Sequence, residues 1–298
     1  MCYNTYRIGD KMKRAKILII LLILLTLVGC NKRHDDNIPV GSPNETYTSK
    51  YNDGKHGNAN RLEGTTIIVS IFANDQTTKW GNSRADKKSI NTILDKLSTS
   101  TVYLSKQAAN YGKTLKFAYN WEKYKDLRYE AAFGEDLLTD GGEYYKVQRE
   151  WIEKNINSTA LKNKYKADNI IYMYFLNTDF NNTHKPWTID HSTCKTCMTE
   201  FTNIFYRYEG IAAPAGTFAH EMLHQFGAPD LYVANQYIPQ NFVDYQTKND
   251  SKDIMYFVNK GTAIESKFTD LDAYYVGIGS KPSTVTEWNL GISEHERG

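Results

Sequence analysis

The sequence predicts an α/β fold of the α+β kind, a mixed twisted sheet covered by helices, and three observations carry that expectation. Residues 65–73, β-branched and apolar over a strand's length, read as a strand buried on both faces, and residues 169–176 as a central strand. Stretches with apolar residues at helical spacing lie between and after them. A third stretch, residues 220–230, places His, Glu, His and Asp at offsets that a helix ending in a sharp bend would bring together. At 298 residues the chain has ample material for a buried core.

Taken in order, the chain opens on Lys11, Lys13, Arg14 and Lys16, followed by an apolar run from Ile17 to Val28. The run is shorter than the roughly 20 residues of a comfortable membrane span, so residues 1–29 read as a secretory signal. Leu27-Val28-Gly29-Cys30 resembles a bacterial lipobox, which implies lipidation of Cys30 and an extracytoplasmic protein held to the cell membrane. The alternative is an ordinary secretory signal with an incidental cysteine. Residues 1–29 hold five of the 36 basic and one of the 34 acidic side chains, so the remainder is nearly neutral. That balance argues against a nucleic-acid partner, which asks for a basic patch.

Residues 30–62 are polar, with Gly41, Pro43, Gly54 and Gly57 scattered among Asn, Ser, Thr and Lys, and are predicted to form a flexible tether. Residues 63–298 form the predicted domain. After the first strand, residues 83–110 read as one long helix, weakened around residues 98–101 by hydroxyl and β-branched side chains and closed by Gly112. Residues 114–121 alternate as a strand exposed on one face. A helix over residues 143–161 leads to the strand at 169–176. Residues 179–200 are irregular and contain His184, His191, Cys194 and Cys197. A disulfide between the two cysteines, a structural metal site and a redox pair all remain open. Residues 202–208 read as a strand at the edge of the sheet, residues 231–250 as irregular, residues 269–277 as a capped helix, and residues 281–298 as a polar tail.

The chemistry concentrates at His220-Glu221-Met222-Leu223-His224 and Gly227 to Asp230. Positions four apart share one helix face, so His220 and His224 aim two imidazoles at one point, where a zinc ion would sit. Glu221 lies one step round, able to reach a metal-bound water as general base without being a ligand. Gly227 lets the helix stop and the chain reverse, returning Asp230 as a third ligand. With seven histidines in the whole chain, a chance meeting of all these residues at fixed offsets is a poor explanation. Buried, hydrogen-bonded histidines without a metal would leave the adjacent Glu221 without a purpose.

The pattern resembles the metzincin signature H-E-x-x-H-x-x-G-x-x-H, with Asp230 in place of the third histidine. The form ending in Asp is similar to snapalysin, and Gly227-Ala228-Pro229-Asp230-Leu231-Tyr232 resembles immune inhibitor A-like peptidases. This resemblance implies a zincin-like fold and a secreted zinc endopeptidase acting on protein or peptide substrates. It also implies a Met-turn at Met255 beneath the zinc and an edge strand that pairs with extended substrate. The family tyrosine that helps the oxyanion often sits two residues after its methionine; here Tyr256 follows Met255 directly and is the candidate. The competing expectation is a catalytically silent surface binding lipoprotein on the same scaffold. The chain is expected to act as a monomer, with membrane contact through the lipid alone.

Overall fold

Alternation of side chains along the two central strands sets the layers of the molecule. The computed structural model describes residues 33, 36–41, 46–47, 57–138, 144–190 and 199–296. Cys30, His191, Cys194, Cys197 and the predicted signal therefore lie outside the described residues. In β1 (Gly64–Asn74), Ile68 and Phe72 face one core, while Ile67, Val69, Ile71 and Ala73 face the other. In β4 (Asn169–Leu176), Ile171, Met173 and Phe175 share the first core, and Ile170, Tyr172, Tyr174 and Leu176 the second. Both strands are buried on both faces, which explains their near-continuous apolar sequence.

The fold is mixed α/β: among the described residues six strands form the main sheet and seven helices accompany it. β1 pairs in parallel with β4 on one side. On its other side it pairs first with β2 (Leu115–Ala118) and then with β3 (Arg128–Ala132), also in parallel. β2 is shorter than predicted because β3, which no periodicity announced, takes over that edge of β1. Beyond β4 come β6 (Phe201–Phe205), parallel, and β5 (Trp187–Ile189), antiparallel. The predicted edge strand at residues 202–208 is thus an interior strand over most of its length, and the edge is β5. After β6 the chain turns into a small hairpin, β7 (Arg207–Tyr208) with β8 (Ile211–Ala212).

On the first core's face lies α1 (Arg84–Asn110), unbroken through its serines and threonines. The hydroxyls that weaken a free helix are taken up locally: Thr101 Oγ1 donates to Ser98 O, and Ser100 Oγ lies 2.7 Å from Ala215 O. Ser100 therefore serves as the close contact with α4 (Ala215–Gln225), the helix carrying the motif. On the opposite face the predicted single helix over residues 143–161 is two, α2 (Tyr144–Asn155) and α3 (Ser158–Tyr165). Asn157 divides them by accepting the Ala160 N–H with its side chain.

The C-terminal third is more ordered than its polarity suggests. Residues 240–248 form α5 (Gln240–Lys248), with Phe242 and Val243 buried. α6 (Asp270–Tyr275) begins with the predicted cap, a reciprocal Thr269–Asp272 capping box, and ends before Gly277. α7 (Ser283–Glu287) and the following turn bury Val285 and Leu290 in the first core. Parts of the predicted tether also lie against the domain. Ile38 is 6% exposed in the second core, Leu62 is buried in the first, and Asn58 bonds Glu200. Among the described residues no helix is long and apolar enough to cross a membrane.

Candidate metal centre

Every residue of α4 is buried, so its polar side chains must find partners inside the protein. The apolar ones, Phe218, Ala219, Met222 and Leu223, fill the first core. Gln225 donates to Tyr172 O and Thr202 Oγ1 beneath the sheet. Gly227, at φ +97°, bends the chain as expected, in a region that favours glycine. The bend brings Asp230 back over the two imidazoles.

The imidazoles are held from behind by backbone carbonyls. His220 Nδ1 lies 2.9 Å from Ile254 O, and His224 Nδ1 lies 2.7 Å from Ala228 O. A carbonyl oxygen only accepts, so both Nδ1 atoms carry hydrogen, and each neutral ring presents its Nε2 lone pair on the other side. Those lone pairs converge. The two Nε2 atoms are 3.1 Å apart, and each is 3.2 Å from Asp230 Oδ1. Asp230 Oδ1 is itself buried with no hydrogen-bond donor.

Three electron-rich atoms in such a triangle repel unless a positive charge lies among them. Among the protein groups alone that charge is a proton: burial opposes the His224 cation, but Asp230, Glu221 and Asp190 outweigh it and raise the pKa to about 10. Burial likewise opposes the Asp230 anion, and the two histidines overcome it and hold the carboxyl well below its usual range. The donor set also fits a metal. Edges of 3.1 and 3.2 Å lie near the roughly 3.3 Å separation of tetrahedral zinc ligands with bonds of about 2.0–2.1 Å. His220, His224 and Asp230 are a group able to hold a metal ion.

Glu221 is 3% exposed, and its Oε2 accepts from Thr188 Oγ1 at 2.7 Å. Burial raises its pKa, against the pull of both histidines and of the Thr188 hydroxyl. Thr188 belongs to the edge strand β5, so the same short strand that ends the sheet orients this carboxylate. Sequence reasoning gave Thr188 no role, since it stood in a stretch without periodicity.

The cleft has two lobes meeting at Pro186, Glu221 and Tyr232. One, about 470 Å³, is lined by Trp187, Thr188, Asp190, His224 and Asp230. The other, about 310 Å³, is lined by Tyr208, Ile211, His220, Tyr256, Val258 and Lys260. Tyr232, two residues after Asp230, borders both lobes. Its ring stacks on that of His220 at 6.2 Å between centroids, at the junction of the two lobes. Burial, then the charges of Asp230 and Glu221, raise its pKa. Tyr256 reaches the same lobe, but its hydroxyl donates to Thr247 Oγ1 at 3.1 Å. Met255 is buried in the turn that supplies Ile254 O, and its own carbonyl accepts the Leu231 N–H, tying that turn to the residue after Asp230.

No protein-family model matches the chain, and no curated protein matches it.

Proposed function

We propose that this protein is a zinc-dependent endopeptidase, held at the outer surface of a bacterial membrane by lipid on Cys30 and similar in kind to the metzincin-like peptidases. The observation that carries the reading is the convergence of His220 Nε2, His224 Nε2 and Asp230 Oδ1, with the buried carboxylate of Glu221 beside them in an open cleft. Sequestration of zinc needs the three ligands; it does not need Glu221.

When bound by these three side chains, zinc acidifies water and polarises a carbonyl. Glu221 takes the proton from the attacking water and delivers it to the leaving amine, the raised pKa of its buried carboxyl making it a stronger base than a free glutamate. Thr188 holds the carboxylate in place. Asp230, being a carboxylate, leaves less positive charge on the site than a third imidazole would, so more of the reaction falls to Glu221. Tyr232, whose ring stacks on His220 where the two lobes meet, is better placed to donate to the developing oxyanion than Tyr256, whose hydroxyl is taken by Thr247. Among the described residues β5 ends the sheet beside the cleft, an edge on which an extended peptide can add.

The test is Glu221→Gln, assayed for zinc content and for cleavage of a peptide library with and without chelator. Zinc content is expected to stay at the parent level while cleavage falls by at least about 10²-fold. Cleavage at the parental rate would rule out the assigned base. A parent that binds zinc yet cleaves no peptide would favour the silent binding protein.

A further inference from the structure

The proposed mechanism leaves two buried acids unused. Asp253 and Asp272 are 4% and 1% exposed, on the turn under His220 and on α6. Their carboxyls meet at the Thr269 hydroxyl, which lies 2.7 Å from Asp253 Oδ2 and 3.3 Å from Asp272 Oδ2. Two carboxylates so close in a dry interior cannot both be charged.

Resting on the zinc-site reading above, we infer that Asp253 is a positioning residue for His220: with Asp272 behind it, its carboxylate grips one end of the peptide group whose other end orients the imidazole. That group joins Ile254 to Met255. Its N–H donates to Asp253 Oδ1 at 2.8 Å, and its carbonyl accepts from His220 Nδ1 at 2.9 Å. A carboxylate on the N–H side polarises the peptide, making the carbonyl a better acceptor and the imidazole a stronger ligand. Asp253 is thus linked to the metal position through one peptide bond and one ring.

The surrounding bonds show which acid is ionised. Asp253 receives the Met255 N–H on Oδ1 and the Thr269 hydroxyl on Oδ2 at 2.7 Å, donors that favour its charged form. Asp272 accepts the Thr269 N–H at 2.7 Å and faces the charge of Asp253. Burial raises both carboxyls, and Asp272 further because of its neighbour's charge. Asp272 therefore keeps the proton. For packing alone, apolar side chains of similar volume would serve at least as well as a buried acid pair.

The roles are unequal, and so are the two amide substitutions. Asp272→Asn keeps an acceptor for Thr269 N–H. Asp253→Asn turns an N–H₂ toward one of its donors. The experiment measures zinc affinity, by competition with a chromogenic chelator, and peptide cleavage for the parent, D272N and D253N. D272N is expected to stay within about threefold of the parent, and D253N to lose about 10–100-fold in zinc affinity. Should D253N not fold, Thr269→Val against Thr269→Ser decides the matter, with weakened zinc binding expected for Val alone. If D253N, or T269V in its place, loses heat stability but holds zinc as tightly as the parent, the carboxylate is packing support and the inference falls. Equal losses in D253N and D272N would overturn it as well. A parent that binds no zinc would overturn the zinc site itself, and this inference with it.

Discussion

The two histidines of the site look alike in sequence and are supported in opposite ways. His224 is held by Ala228 O, four residues away in the bend that ends its own helix. His220 is held by Ile254 O, 34 residues on, in a turn fixed in its own right by Asp253 and by the Ile254 N–H on Lys267 O. One imidazole depends on local backbone geometry and the other on tertiary packing. The site is therefore only as well formed as the contact between α4 and the C-terminal third, and damage to either support should have its own signature.

The largest effect is expected on the remote side. Met255→Ala empties a buried position next to Ile254, whose carbonyl holds His220, and should cost about 2–5 kcal/mol of stability and weaken zinc binding. Chemical denaturation and chelator competition check it. On the local side, Gly227→Ala forces a side chain into a left-handed conformation, with its Cβ 2.8 Å from Glu294 Oε1. About 1–3 kcal/mol should be lost, together with zinc affinity, through displacement of Ala228 O and Asp230. Met255→Leu, which nearly conserves volume, should cost less than about 1.5 kcal/mol and leave zinc bound. If Met255→Ala left zinc affinity untouched while Gly227→Ala abolished it, the contrast would stand but His220 would need no floor.

A pH series sharpens the local side alone. In chelator-stripped protein the His224 pKa is raised from 6.5 to about 10, so its pairing with Asp230 contributes stability fully present below 6.5 and lost as pH rises toward 10. The depressed Asp230 carboxyl contributes stability above its ordinary value of 3.8, lost as pH falls below it. Stripped protein should thus be most stable between about pH 4 and 6.5. Added zinc should stabilise progressively more as pH rises, because its ligands must lose their protons to bind. Melting temperature against pH, with and without zinc, reads both trends.

What the sequence revealed follows the same division between local and remote. His220, Glu221, His224, Gly227 and Asp230 were legible because a single helix and one bend bring them together. The strands at residues 65–73 and 169–176 were legible because both their faces are buried, and α6 because Thr269 and Asp272 spell its cap. β3 and β5 were not, being five and three residues long, too short for periodicity to register. The edge was misplaced onto residues 202–208 because strand order depends on pairing, which local sequence does not encode. Thr188, Tyr232 and the Asp253–Asp272 pair act through contacts with distant parts of the chain or through exposed rings. Apart from Asp272, legible only as part of a helix cap, their residue types alone carried no signal.

The most direct measurement is the metal content and zinc-edge X-ray absorption of the purified protein, parent beside His220→Ala, His224→Ala and Asp230→Ala. The account predicts one zinc per parent chain with two imidazole nitrogens and a carboxylate oxygen at about 2.0–2.1 Å, and loss of that zinc in each variant. A parent without zinc, or variants that keep it with an unchanged spectrum, would contradict it.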